Sequence, residues 1–429
     1  MKVGYPEPPS DEEIAEGRSI MINATVHGNE PAGREMALQK MRDLAFTDDP
    51  ELLDMLENST VLFIPTMNPD GREANTRQNA WGLDNNRGNL NLMTPETLTA
   101  GNMINQFQPE IVVDAHERRS EGGNIEFMHS RNLNVYRPMQ ELNEELIEDY
   151  LRPDVEADGF STGIYPTPDY INGHERTLTN NSGLRHAMGV LYESWSGGEP
   201  RDRVEVQMSA TDALFQFYID RFDDVGEIKA DAPVEKAEDG ANQKPFYLGG
   251  SDNLTPPEGT ILDPAPCGYL LHTSQAAHIE RHLDSYSIET ESVGEDGVFV
   301  TMNQPSMTVI PLLLDDRARL NEVSGVPVYN CSDPSSVAQP ETPYTSNLEN
   351  RVELLAEQEA FESDSNESQL MIHLTAVSQF EAQNTSDKVV RHIRGFQDLL
   401  NYQFDNDLID KWAYNYLKGD TEYVIEEWE

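Results

Sequence analysis

The chemistry of this chain starts at His27-Gly28-Asn29-Glu30. An imidazole and a carboxylate three residues apart can converge on one ion where the chain leaves a strand for a helix. Zn²⁺ accepts both donor types at about 2.0–2.2 Å, and a catalytic zinc uses three protein ligands with a fourth position left for water. Alone, His-x-x-Glu is as readily a surface pair, so a third donor decides. His116 is the candidate: it closes the apolar run Ile111–Ala115, and α/β sheets build their sites at the carboxyl ends of strands. Glu193 closes the next such run, Val190–Glu193, and is followed by Ser194-Trp195. A carboxylate there, against apolar strands and an indole, is expected to have a raised pKa and to act as general base to a zinc-activated water. The alternative is a strand-end Glu paired with an arginine. The run Arg77–Arg87 (RQNAWGLDNNR) spends two arginines and three asparagines in a chain rich in acids. A guanidinium fork suits a carboxylate or an oxyanion; the alternative is surface arginines balancing acids.

These residues need a scaffold of strands and helices. Arg18–Val26 reads as a strand, Pro31–Phe46 and Glu51–Leu56 as helices, and Thr60–Met67 as a buried-type strand ended by the turn Asn68-Pro69-Asp70-Gly71. Helices at Thr94–Phe107, Tyr136–Leu151 and Met208–Phe222 alternate with strands at Glu110–Ala115 and Val190–Glu193. That alternation predicts an α/β layered domain over residues 1–230. Asp231–Gly249 reads as a linker. Residues 244–343 form a small α/β or β accessory region, with strands expected at Tyr269–His272, Gly297–Met302 and Thr308–Leu314 and a helix at Gln275–Leu283. A second linker, Ser332–Tyr344, leads to residues 348–429, where apolar spacing predicts three helices in a bundle.

Composition bounds the function. The chain has 429 residues, 77 Asp+Glu against 30 Lys+Arg, and a formal net charge of −47. The acids are spread along the chain, so the field repels phosphates; a nucleic-acid or anionic-membrane binder is excluded. A diffuse acid excess with few lysines fits a protein solvated for molar salt, where charges are screened within about 3 Å; a binder of basic partners is the alternative. No apolar run approaches the ~18–20 residues of a membrane span. No signal peptide is visible before Gly17, which gives a cytoplasmic protein, or an extracellular one if an upstream segment is missing. Cys267 and Cys331 read as two unpaired residues.

His-x-x-Glu, Asn-Pro-Asp-Gly, an Arg before Gly82-Leu83-Asp84-Asn85-Asn86-Arg87, a strand ending in His116 and a strand ending in Glu193 occur in that order over about residues 18–200. The pattern resembles the zinc metallocarboxypeptidases of the carboxypeptidase A type, here in a halophilic, archaeal-type form. The resemblance implies a mixed central sheet flanked by helices. It implies one zinc per chain held by His27, Glu30 and His116, with Asp84 orienting the first histidine. It also implies that Arg77 polarises the scissile carbonyl, that Asn86 and Arg87 grip a terminal carboxylate, and that Glu193 is the base and later the acid. The substrate would be a peptide or protein with a free C-terminus.

The chain departs from that pattern in places. Only about seventeen polar residues precede Arg18, which predicts either an N-terminal truncation or a sheet that has lost an edge. The substrate-capping tyrosine is not placed: Tyr165 and Tyr170 lie in range, and the stretch His174–Asn180 is a rival for substrate contacts. The His-Gly-Asn-Glu wording is shared with deacylases of N-acyl amino acids, similar to succinylglutamate desuccinylase and aspartoacylase, which form the first alternative. A non-catalytic acidic binding protein on a peptidase scaffold is the second. The segment from Gly268 resembles accessory regions after some bacterial and archaeal members, and Met371–Gln403 resembles helical modules appended to extracellular proteins.

Overall fold

The first seventeen residues form structure despite their polar composition. Strand β1 (Lys2–Val3) is followed by helix α1 (Asp11–Glu16). The helix starts at a reciprocal cap in which Ser10 and Glu13 satisfy each other's backbone N–H groups, and it buries Ile14. Next come β2 (Ser19–Ala24), α2 (Ala32–Ala45), α3 (Pro50–Asn58), β3 (Thr60–Ile64), α4 (Pro69–Ala74), α5 (Pro95–Phe107), β4 (Ile111–Arg118) and β5 (Ile125–His129). Helix α6 (Arg137–Glu145) continues through a wider turn at Leu146–Leu151 into α7 (Arg152–Ala157). Strand β6 (Thr162–Ile164), α8 (Leu178–Leu184), β7 (Met188–Trp195), α9 (Pro200–Asp220) and α10 (Phe222–Ala241) complete the series. This computed structural model describes all residues except 121, 167–172, 257–258, 295–296, 335–336, 338–344, 358–359 and 429.

Contacts divide the chain into two units, one of residues 1–79, 84–237 and 249–261, the other of 80–83, 238–248 and 262–429. The first holds a seven-stranded mixed sheet in the order β1-β3-β2-β4-β7-β5-β6. Strands β3, β2, β4 and β7 are parallel; β5 runs antiparallel to β7, and β1 antiparallel to β3. Strand β1, with Lys2 opposite Leu62, pairs along the outer side of β3. Strands β2 and β4 are buried at every position, as parallel strands sandwiched between helices must be. Their register places Ala24 beside Ala115 and His116 beside Glu193, so three strand ends open on one place. The α/β class with a mixed sheet flanked by helices holds.

The second unit contains a four-stranded antiparallel sheet, ordered Glu291–Val293, Gly297–Thr301, Gly268–His272, Val326–Val328. Four expectations change here. Asp231–Ala241, read as linker, is helical as the second half of α10. Thr308–Leu314, read as a strand, is helical over Ile310–Leu314. There Pro311 sits in the first turn, where its missing N–H costs nothing. Among the described residues the C-terminal part forms four helices rather than three: Ser346–Glu357, Asp364–Glu381, Ser386–Asp405 and Lys411–Trp428. Finally, Cys267 and Cys331 are joined in a disulfide. Gly268 lies opposite Val328 in the sheet, and this register brings the two cysteines together just outside the paired strands. The linker expected at Ser332–Tyr344 falls mostly outside the described residues. Among the described residues no helix is long and apolar enough to cross a membrane.

Candidate metal centre and active-site cleft

The turn after β2 is built on two glycines and an asparagine. A Cβ on Gly28 would overlap the backbone of Gly71 and Arg72, and a Cβ on Gly71 would overlap Gln78 O and the Asn68 side chain. Asn68 caps α4 by accepting from Gly71 N at 2.8 Å, while its Nδ2 donates to Val26 O and Arg77 O, each at 3.3 Å. One side chain thus fixes the residue before His27 and the backbone of Arg77. This gives the Asn-Pro-Asp-Gly run a positioning role in the cleft. Thr25 has φ +56°, a left-handed conformation uncommon for a β-branched residue, and it turns the chain sharply toward His27.

His27, Glu30 and His116 meet at the mouths of β2 and β4. His27 Nδ1 lies 2.9 Å from Glu30 Oε1, His116 Nδ1 lies 2.8 Å from Glu30 Oε2, and the two Nδ1 atoms are 3.0 Å apart. Behind them stand two more carboxylates: Asp84 Oδ1 is 3.0 Å from His27 Nε2, and Asp114 Oδ1 is 2.7 Å from His116 Nε2. Each carboxylate orients its ring through Nε2, so both Nδ1 atoms and the Glu30 oxygens are aimed at one point. Two imidazoles with one carboxylate converging in this way are a zinc donor set. All three donors are at least nine-tenths buried. Burial alone would raise the Glu30 carboxyl, but His27 and His116 outweigh it and hold Glu30 below the usual range.

Arg77 donates through Nε and Nη2 to Asp84 Oδ2 at 3.0 and 2.8 Å, and its Nη1 reaches to 3.1 Å from His27 Nδ1. It stands against the donor cluster rather than on the open surface. Burial would raise Asp84, but His27 above all, with Arg77 and Arg87, holds it well below the ordinary carboxylate range. Glu193 lines the same cleft of about 590 Å³ with His27, Glu30, Arg77, Asn86 and Arg87. Among the described residues no hydrogen bond or ion pair holds its carboxylate. Arg118, the nearest arginine along β4, donates instead to the Glu193 backbone oxygen at 2.7 Å. Burial pushes the Glu193 carboxyl up to about 8; Glu30 and Asp114 add to this, while His116 and Arg77 oppose it.

Arg87 faces the cleft with Nη1 on Asn86 O at 2.8 Å. Burial disfavours its charge, Arg77 and Arg176 add repulsion, and Asp84 only partly compensates, so the guanidinium is poised for an anion. Asn86 also lines the cleft, but its Oδ1 accepts from Leu178 N at 2.7 Å. Its Nδ2 lies 3.1 Å from His116 Nε2 and 3.5 Å from Asp114 Oδ2, leaving only the second amide hydrogen for a ligand.

One residue escaped the sequence reading. Asp114 stands two positions before His116 on one strand, hence on the same face, and that spacing was the available signal. Tyr165, one of two tyrosines in range, lines the cleft, and burial followed by the nearby Glu193 charge pushes its hydroxyl up to about 12. Tyr170 lies outside the described residues. His174 and Glu175, the rival stretch, pair with each other at 3.3 Å, whereas Thr177 and Thr179 reach the cleft.

The family model described as zinc carboxypeptidase matches residues 1–108, and one described as FIMAH domain matches residues 345–426. The first match takes in about a quarter of the chain and contains His27, Glu30, Arg77, Asp84, Asn86 and Arg87; His116 and Glu193 lie beyond it. Carboxypeptidase 2 of Trichophyton rubrum is 31% identical over 159 residues, covering 34% of this chain and 29% of the fungal protein. Carboxypeptidase 2 of Trichophyton tonsurans is 30% identical over 190 residues, covering 40% and 34%. The chain thus spans about a third of the length of these curated relatives. Among solved structures, a metallo-carboxypeptidase from Burkholderia cenocepacia aligns with TM-score 0.42 and 18% identity, over 52% of this chain and 60% of that one.

Proposed function

We propose that the chain is a zinc-dependent metallocarboxypeptidase that removes C-terminal residues from peptides. The observation that carries this reading is the convergence of two imidazole Nδ1 atoms and Glu30 in a cleft where the Glu193 carboxylate is buried and unengaged. His27, Glu30 and His116 would hold the zinc, with Asp84 and Asp114 fixing the imidazoles. When bound, the ion supplies Lewis acidity that activates water and polarises the scissile carbonyl. Glu193 takes the proton from the attacking water and later delivers it to the leaving amine. Arg77 Nη1, held by Asp84, stabilises negative charge developing on the carbonyl oxygen. Arg87, with the free amide hydrogen of Asn86, grips the terminal carboxylate, and Tyr165 closes over the substrate.

The direct test is to load the protein with zinc and compare hydrolysis of a blocked dipeptide with that of an N-acyl amino acid. Faster cleavage of the blocked dipeptide is expected. Preference for the acyl amino acid would favour the deacylase reading, and no turnover of either would favour a binding protein. Arg87 gives a sharper discriminator. Removing one partner of a buried charged contact costs ~2–5 kcal/mol, so Arg87→Ala should slow cleavage of free C-terminal peptides by about 100-fold or more and leave amidated peptides nearly unaffected. Equal losses on both would point to an endopeptidase or a deacylase.

The acid excess belongs to the working conditions rather than to the site. With a net charge of −47, self-repulsion and repulsion of the substrate carboxylate are both relieved by salt. Activity and thermal stability should rise together from dilute buffer to molar KCl. Full activity and stability in dilute buffer would refute the halophilic reading.

A further inference from the structure

A second cluster of donors stands apart from the cleft, around His129 at the end of β5. His129 Nε2 lies 2.7 Å from Asp252 Oδ2 and 3.5 Å from Glu144 Oε1. The three ligand atoms all fall within 4.8 Å of one another, as they do at His27, Glu30 and His116. The His129 and Asp252 side chains are 5% and 8% exposed, while Glu144 opens to solvent at 44%. A cavity of about 170 Å³ lies against His129, Arg131, Glu144 and Glu148.

An ordinary His–Asp hydrogen bond would leave much of this cluster unexplained. One Nε2–H can satisfy a single oxygen, yet Asp252 Oδ1 is buried with no hydrogen-bond partner among the described residues. Arg131 Nη1 lies 3.8 Å from it, beyond hydrogen-bonding distance. Glu148 is already engaged by Arg152. Two carboxylates against one guanidinium leave a net charge of −1 at the cluster, an anionic setting that favours a bound cation.

We propose that His129, Glu144 and Asp252 form a second, structural divalent-cation site. One imidazole with two carboxylates suits zinc or a neighbouring first-row ion better than calcium or magnesium, which prefer all-oxygen shells. The three ligands come from β5, α6 and the segment 249–261, so the ion would clamp that segment onto the catalytic unit. The segment is otherwise held by a backbone bridge between Ser251 and Asn132 and by Asp252 N on Arg131 O at 2.9 Å. Asn132 in turn donates to Gly173 O at 2.8 Å, ahead of Thr177 and Thr179 in the cleft. Met128 lines both cavities.

The test counts zinc in the full chain after loading at micromolar Zn²⁺ in molar KCl, where diffuse binding to surface acids is screened. The wild type should hold two zinc ions per chain, His129→Asn one, and His116→Ala one. Loss of one of three ligands should weaken the affected site by more than about 100-fold, since even an outer partner of a ligand is worth 10–100-fold. In the His116→Ala background, Zn²⁺ should slow amide hydrogen exchange at residues 251–254 by about ten-fold or more, and adding His129→Asn should abolish that protection. A wild type holding a single zinc that survives His129→Asn, or exchange at 251–254 unmoved by zinc, would overturn the proposal. A zinc count unchanged by His116→Ala would instead count against the catalytic site, so the two failures are distinguishable.

Discussion

Glu193→Gln should retain the metal of the cleft and lose ~10²–10⁴ or more in kcat/KM. Glutamine matches glutamate in size but cannot accept a proton. The exchange also disturbs little packing, because no hydrogen bond or ion pair among the described residues holds this carboxylate. Among the described residues none of His27, Glu30 and His116 is hydrogen-bonded to it; its link to them is the β4–β7 register that sets it beside His116. The same variant has a proton readout. Without a cation, burial first and then the Glu30 and Asp114 charges push the carboxyl up to about 8, against the pull of His116 and Arg77. At pH 7 the metal-free protein therefore carries it mainly protonated. A dication bound beside it favours the ionised form, so zinc loading should expel that proton, and Glu193→Gln should release about one proton fewer. Titration of metal-free protein with Zn²⁺ in weak buffer, alongside steady-state kinetics, measures both effects. A variant with near-wild-type turnover would remove Glu193 from the base role.

His116→Ala should lose one bound zinc and all measurable peptidase activity. His116 is 1% exposed with both ring nitrogens engaged: Nδ1 with Glu30 and Nε2 with Asp114. Its removal deletes a donor and strands Asp114, a fully buried carboxylate, and breaking such a pair by removing one partner costs ~3–5 kcal/mol. The variant is thus expected to be destabilised as well as metal-poor. Asp114→Asn separates the two effects. It keeps the imidazole and should weaken zinc binding only by about 10–100-fold, with turnover recovering at high zinc. Metal counting after dialysis and a thermal melt on each variant make the comparison. A His116→Ala protein with an unchanged zinc count would argue against this ligand set.

The sequence made much of the site legible because its chemistry is written locally. His27 and Glu30 share one turn, Arg77 to Arg87 one loop, and His116 and Glu193 each close an apolar run. What was missed depends on the third dimension or on short signals. Strand β5 is five residues long and is defined by its antiparallel partner β7, so neither the cleft wall at Met128 nor the cluster at His129 could be assembled from spacing. The turn 310–314 is an apolar run too short for its period to distinguish helix from strand, and Pro311 was the stronger clue. Ser10 and Glu13 did carry a helix-start signature, hidden by the polarity around it. The Cys267–Cys331 pairing follows from strand register, which two positions in a sequence do not encode.

The glycine contact behind the ligand turn has a practical consequence for anyone scanning this protein by mutation. Gly28, Gly71 and Asn68 have no proposed contact with substrate, yet substitutions there would displace His27 and Arg77 together. In an activity screen they would score as null alleles alongside Glu193. They would separate from it in a second dimension: Glu193→Gln should leave a stable, metal-loaded protein, whereas Gly28→Ala or Gly71→Ala should lower metal content and melting temperature in step. Loss of function in this chain thus sorts into two phenotypes, and only the first marks residues that take part in bond breaking.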